Sequence, residues 1–262
     1  MDHLERTKQE FTRQAEGFAN SAATTDRREA RRLVDALPAD TIGRVLDVAC
    51  GPGIVTCELA ATAREVVAFD LTPEMLAKAQ ARCEMHGLRN VAFKEGSATD
   101  LPFAEDYFDA VVSRLSLHHF QDPRRVLGEM RRVARPGGAL IIADVTSSEA
   151  ADKSAVQNAI EVLRDPSHVR MLPASEFLGL VRDAGLVIEL IATWDKPREF
   201  EEWAGIVADD ERIRPLRTLV RALAAGGEDA GMNLVLAGGL MVFVHRWQLV
   251  VARKPVRTAA TA

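Results

Sequence analysis

From residue 42 to residue 146 the chain alternates short apolar runs with longer stretches of helical periodicity. The runs fall at 45–49, 66–69, 91–93, 110–112 and 139–145. Such continuous runs predict strands buried on both faces, as in a parallel sheet covered by helices. The punctuation between them agrees. Thr72-Pro73-Glu74 places a cap residue, a proline at the first helical position and an acid in the first turn, where the helix dipole favours negative charge. Asp122-Pro123 repeats the device ahead of a helix reaching about Ala134, and Pro136-Gly137-Gly138 stops that helix before the next strand. Strand-helix-strand units in series imply right-handed crossovers and a doubly wound α/β sheet.

The flanks are less regular. Residues 1–35 are polar, with Leu4, Phe11, Ala15, Phe18 and Ala19 at roughly helical spacing; Arg27-Arg28 and Arg31-Arg32 read as the solvated face of a helix. After residue 146 the pattern predicts a helix over 150–163, broken by Asp165-Pro166-Ser167-His168, and another over 174–184, ended by Gly185. A strand follows at 186–193, then an amphipathic helical stretch at 198–225 and a strand at 240–252 before an Ala/Thr tail expected to fray. This half supplies the last two strands of the same sheet and a helical cover.

Composition narrows the function. The chain has 262 residues, 47% of them hydrophobic, so it can bury a sizeable core. A net charge of -5 argues against a nucleic-acid partner, whose phosphates demand a basic surface. Cys50, Cys57 and Cys83 are too few and too odd in number for a disulfide framework, which fits a reducing cytoplasm, and no Cys/His cluster has the spacing of a metal site. The first residues lack a signal peptide's apolar core, and the longest apolar run, at 234–244, is too short to cross a bilayer.

The most informative stretch is Asp47-Val48-Ala49-Cys50-Gly51-Pro52-Gly53. A buried strand ends in a glycine turn, at the sheet edge where open α/β sheets bind ligands. Asp70 ends the second strand, where a carboxylate can accept hydrogen bonds from both hydroxyls of an adenosine ribose. Thr56 stands where a dinucleotide fingerprint needs its third glycine, and the acid before the glycines suits a cationic ligand better than a pyrophosphate. A nicotinamide dehydrogenase is further disfavoured because Tyr107 is the only tyrosine and no Tyr-x-x-x-Lys pair exists.

With these residues the chain resembles class I S-adenosylmethionine-dependent methyltransferases, in particular the ubiquinone/menaquinone-biosynthesis branch. The resemblance rests on ordered motifs at 45–53 (VLDVACGPG), 69–76 (FDLTPEML), 95–103 (EGSATDLPF), 107–112 (YFDAVV) and 131–139 (RRVARPGGA). Residues 11–21 (FTRQAEGFANS) also resemble that branch's first helix. It implies a Rossmann-like, seven-stranded sheet with the last strand antiparallel. It also implies a helical cap over 1–35, and a domain over 36–262 with its core at 36–146 and a substrate cover at about 147–172 and 195–238. S-adenosyl-L-methionine would be the cofactor and S-adenosyl-L-homocysteine the product, with no metal. Asp47 would lie near the methionine amino group, and the backbone of Cys50, Gly51 and Gly53 would pack against the cofactor. Asp70 would hold the ribose and Leu71 would border the adenine, whose edge Ser97 and Ala98 would contact. Many relatives carry Asp or Asn at the Ser97 position, so adenine recognition here would lean on backbone. Arg114 would offer its carbonyl towards the methionine end.

Methyl transfer from a sulfonium is an in-line displacement that needs positioning more than covalent machinery. An acceptor that must lose a proton needs a base, for which His118, His119 and His168 are candidates, with His118 favoured. A histidine tying loop to loop explains each equally well. Arg170 is a candidate for an anionic or carbonyl group, Asp144 a weaker candidate base, and Trp194, Phe200, Trp203 and Trp247 could wall an apolar acceptor or simply pack a core. The place after the fourth strand reads Ser113-Arg114-Leu115-Ser116, not the Asn/Asp-Pro-Pro-aromatic clamp of nucleic-acid members. The expected partner is a small, largely apolar acceptor, quinone-like or polyketide-like, methylated on oxygen or carbon by a monomer or homodimer without an integral membrane segment. A protein that binds the cofactor without transfer, as a cyclase or binding module, would show the same motifs.

Overall fold

The computed structural model describes residues 2–21 and 26–256; the Ala/Thr tail at 258–262 lies outside them. Two helices come first, α1 (His3–Asn20), capped by the Asp2 carboxylate on the Glu5 N–H, and α2 (Arg27–Asp35). The alternating region then lays down β1 (Arg44–Val48), α3 (Ile54–Ala60), β2 (Glu65–Asp70), α4 (Pro73–Met85), β3 (Val91–Glu95), β4 (Phe108–Arg114), α5 (Pro123–Val133) and β5 (Ala134–Thr146). Thr72 and Asp122 precede α4 and α5 as the cap signals predict, and the Asp122 carboxylate accepts from Arg125 N at 3.0 Å. The cover contributes α6 (Ala151–Arg164), α7 (Ala174–Asp183), β6 (Val187–Glu199), α8 (Phe200–Gly205), α9 (Asp210–Ala225), β7 (Val235–Ala237) and β8 (Leu240–Arg253).

The sheet runs β3-β2-β1-β4-β5-β8-β6, with the short β7 added beside β8. β1 to β5 are parallel, and β8, the last strand, is antiparallel to both β5 and β6. The order reverses between β1 and β4, so the crevice at their carboxyl ends is the ligand-binding point of this topology. Core layers cover both faces. Val126, Met130, Phe177 and Val181 of α5 and α7 pack on one side. Leu33, Ile54, Val55 and Leu59 of α2 and α3 pack on the other.

Several expectations change. β3 is an edge strand with exposed positions, so its short apolar run does not mean burial on both faces. Pro136-Gly137-Gly138 belongs to the irregular start of β5, where the pairing with β4 shifts register, and α5 has already ended at Val133. The predicted 198–225 helix is the end of β6 followed by two helices, separated where Ala208 turns to φ 51°. The extra strand β7 forms because Gly238 and Gly239 both take positive φ, 59° and 86°, which a two-residue hairpin turn requires. Arg27 and Arg31 are exposed as expected, and both also pair with buried Glu58 at 2.6 and 2.7 Å. Among the described residues no helix is long and apolar enough to cross a membrane.

Candidate functional site

A cavity of about 360 Å³ opens at the β1/β4 reversal, under α1. Its floor is the glycine loop, in which Ala49 and Gly51 adopt φ of 55° and 53°. The loop is braced from the neighbouring strand: Cys50 N donates to the Phe69 carbonyl at 3.1 Å, and Gly51 N to the Asp70 carboxylate at 2.8 Å. The other Asp70 oxygen accepts from Thr72 N at 2.9 Å. Burial raises the Asp70 carboxyl above the ordinary range even though these backbone donors pull it down.

Asp47 ends β1 beneath the cavity and is almost wholly buried. Thr56 Oγ1 donates to it at 2.6 Å, so the threonine that replaces a third glycine orients this acid. Burial pushes the Asp47 carboxyl up to about 7, against the Thr56 hydrogen bond, and the like charge of Asp70 adds to the rise. A deeply buried carboxyl lining a cavity favours a cationic group, which would restore its ionisation.

Of the nine residues expected around the cofactor, eight line this cavity: Asp47, Cys50, Gly51, Asp70, Leu71, Ser97, Ala98 and Arg114. Gly53 does not. It caps α3 at φ 79°, and a Cβ there would meet Ala79 of α4 at 2.7–2.8 Å, so its role is close packing between helices. Gly53→Ala is expected to destabilise the fold by about 2–4 kcal/mol, combining left-handed strain and overpacking, measured by urea unfolding. A variant as stable as the parent would show that α4 yields freely. Ser97 Oγ is engaged with Thr99 Oγ1 at 2.8 Å, and the Arg114 guanidinium lies 5.3 Å from the Trp247 ring.

The histidines sort differently from expectation. His119 lines the cavity; His118 and His168 do not. His118 borders a separate void of about 10 Å³ and gives its Nδ1 to Asp144 at 2.6 Å. Burial lowers the His118 pKa, but the Asp144 charge and hydrogen bond outweigh it and hold the ring above its ordinary value. His168 Nε2 meets Asn158 Oδ1 at 3.0 Å. His119 Nδ1 lies 3.0 Å from the Ser167 carbonyl, which only accepts, so Nδ1 carries the proton and Nε2 keeps a lone pair. Among the described residues Nε2 has no hydrogen-bond partner. Burial, and then the charge of His118, press His119 down to about 3, so the ring is neutral.

The other candidates lie away from the cavity. Arg170 pairs with Glu176 on the surface. Asp144 is committed to His118 and to the Val145 N–H. Phe200 and Trp203 pack with Phe243, and Trp247 stacks on Trp194, so these aromatics serve the core. Conversely, α1 supplies lining the motifs did not assign: His3, Thr7, Phe11 and Phe18. Their i, i+4 and i+7 spacing was the available signal. Phe11 meets the His119 ring edge-on at 4.8 Å, and His3 Nε2 donates to the His119 carbonyl at 2.9 Å.

The chain is similar to known proteins in sequence and fold. Residues 46–142 match the family described as methyltransferase domain. The uncharacterised YafE of Escherichia coli (strain K12) is 37% identical over 158 residues, 60% of this chain and 73% of that protein. The solved structure of BH2331 from Bacillus halodurans C-125, a candidate methyltransferase, superposes with a TM-score of 0.79 at 30% identity, covering 88% of this chain and 99% of that one. A demethylmenaquinone methyltransferase of Renibacterium salmoninarum is 40% identical over 118 residues, 45% of this chain and 48% of that protein.

Proposed function

The chain belongs to the class I S-adenosylmethionine-dependent methyltransferases, and we propose that it methylates an oxygen or carbon of a small, largely apolar metabolite of quinone-like or polyketide-like character. The observation that carries this reading is one cavity holding Asp47, the glycine loop, Asp70 and His119 together. S-adenosyl-L-methionine, when bound, supplies a methyl group on a positively charged sulfur. Asp47 takes the amino group of its methionine part, Asp70 the ribose hydroxyls, and Leu71, Ser97 and Ala98 the adenine. Cys50 and Gly51 pack their backbone along it.

His119 is the residue that receives the acceptor's proton. Its tautomer is fixed by Ser167, and Nε2 is the atom left to accept an O–H. A ring that prefers to be neutral is a weak base, so it takes the proton only as the acceptor oxygen loses electron density to the new bond. Leu4, Phe11, Phe18 and Phe120 line the cavity with apolar surface suited to such an acceptor. The demethylmenaquinone methyltransferase relative, of which the chain spans about half, supports the quinone-like class.

The test is calorimetric titration with S-adenosyl-L-methionine, followed by incubation with a demethylmenaquinone analogue and a panel of phenolic acceptors. Saturable binding and accumulation of S-adenosyl-L-homocysteine with an apolar acceptor are expected. No binding would overturn the cofactor assignment, and turnover confined to polar amines would overturn the acceptor class.

A further inference from the structure

Cys57 of α3 and Cys83 of α4 have their sulfurs 3.3 Å apart, one thiol hydrogen-bonded to the other. Both are reduced; Cys83 is fully buried, while Cys57 keeps about a tenth of its surface exposed. The two helices they join leave the two loops of the cavity, the glycine loop ahead of α3 and the Leu71-Thr72 segment ahead of α4. The helices come close where Gly53 faces Ala79, with no room between them for a Cβ. Beside Cys83, the Arg82 guanidinium donates to the Pro52 carbonyl at 3.0 Å and to the Ala19 carbonyl of α1 at 3.1 Å. The thiol pair therefore bridges the helix that follows the glycine loop and the helix whose Arg82 clasps that loop.

We propose that Cys57 and Cys83 are a redox-sensitive pair, which peroxide closes into a reversible disulfide stapling α3 to α4 and weakening ligand binding at the glycine loop. The second half rests on the reading of that loop as the cofactor site. In the chemistry, the Cys57 sulfur attacks hydrogen peroxide. A sulfur–oxygen bond forms as the oxygen–oxygen bond breaks, and the departing hydroxide takes the thiol proton to become water. The Cys83 sulfur then attacks the Cys57 sulfenic acid. The disulfide forms, the sulfur–oxygen bond breaks, and a second water leaves with the remaining thiol proton. Two thiols are oxidised and both peroxide oxygens are reduced to water; a small dithiol reverses the step.

A disulfide holds its sulfurs about 2.05 Å apart, so closure draws the facing sides of α3 and α4 together by roughly an ångström. The Gly53–Ala79 approach leaves little room to compress, since not even a Cβ fits between them. The helices must pivot there, and the pivot carries Gly51, Pro52 and the Arg82 clasp with it.

The experiment treats the full chain with hydrogen peroxide and reads intact mass, a non-reduced peptide map and calorimetry with S-adenosyl-L-methionine. The expected product is lighter by two hydrogens, links Cys57 to Cys83 and leaves Cys50 open to alkylation. Its affinity is expected to be about tenfold weaker and restored by dithiothreitol. Cys57→Ser and Cys83→Ala are each expected to lose both the cross-link and the response to peroxide. Three alkylatable thiols after treatment, or separate sulfinic acids at the two positions, would overturn the pair. A cross-linked chain that binds as tightly as the reduced one would overturn the coupling. Failure of the reduced chain to bind at all counts against the cofactor reading alone, because the mass arm does not depend on it.

Discussion

Asp70→Ala is expected to weaken S-adenosyl-L-methionine binding by about 100-fold, with smaller changes in the urea midpoint. The carboxylate has two functions in the cavity. It accepts the N–H groups of Gly51 and Thr72, fixing the glycine loop to the end of β2, and it is the group proposed to face the ribose. Hydrogen bonds to a charged acceptor are each worth about 1.5–3 kcal/mol, so losing the ribose contacts accounts for most of the ~2.7 kcal/mol that 100-fold represents. The loosened loop supplies the remainder. Asp70→Asn separates the two functions: its amide oxygen can still accept one backbone N–H, but the amide cannot receive both ribose hydroxyls. It should bind about tenfold more weakly than the parent while the loop stays ordered. Calorimetry on both variants decides the matter, and an unchanged affinity in Asp70→Ala would remove this residue from the ribose site.

How far the sequence carried the reading depended on whether each signal was local. The sheet, its reversal and the Asp47-to-Gly53 turn were legible because strand runs and glycine turns are written in consecutive residues. The approach of Gly53 to Ala79 was not legible, because its left-handed backbone faces a residue on another helix. The sequence favoured His118 over His119, whereas His119 is the ring that lines the cavity. They are neighbours on one 3₁₀ turn, where successive side chains point about 120° apart, and only Ser167 and Asp144, supplied from distant segments, settle which ring meets the cavity. The same holds for α1: its periodicity announces an apolar face, while the surface that face covers is set by tertiary packing. The tryptophans were ambiguous because their partners come from distant segments: Trp203 packs against Phe243 and Trp247 against Trp194.

Acidification from pH 7 to pH 5 is expected to lower the stability of this fold through its buried histidines, with the Asp47 carboxyl, raised to about 7, acting in the opposite sense. Three buried histidines have pKa values below the ordinary 6.5. Burial, then the charge of His118, takes His119 to about 3; the same causes take His168 to about 4; burial lowers His245 against its bond to Glu161. In the unfolded chain all three titrate near 6.5, so the unfolded state binds more protons below that pH and stability falls as pH falls. Their stabilisation is complete above about pH 6.5 and is lost progressively towards the folded values. His118 has the opposite sign. Its raised pKa, held up by Asp144 against burial, adds stability only as pH falls towards 6.5, where the contribution is complete; the group that offsets the loss below 6.5 is Asp47, whose raised carboxyl takes up its proton in the folded state first. Each pH unit per group is worth about 1.4 kcal/mol, so His119 and His168 together lose about 4 kcal/mol between pH 6.5 and pH 5, of which the Asp47 carboxyl returns about 2 kcal/mol. The net loss is an appreciable fraction of the roughly 5–15 kcal/mol typical of a domain. Urea midpoints across this range should fall in the parent and fall less in His168→Gln, whose amide can keep a bond to Asn158. A flat profile in the parent would mean that the rings around His119 take up protons without opening the fold, and His119 would then be charged when the acceptor arrives, unable to receive its proton.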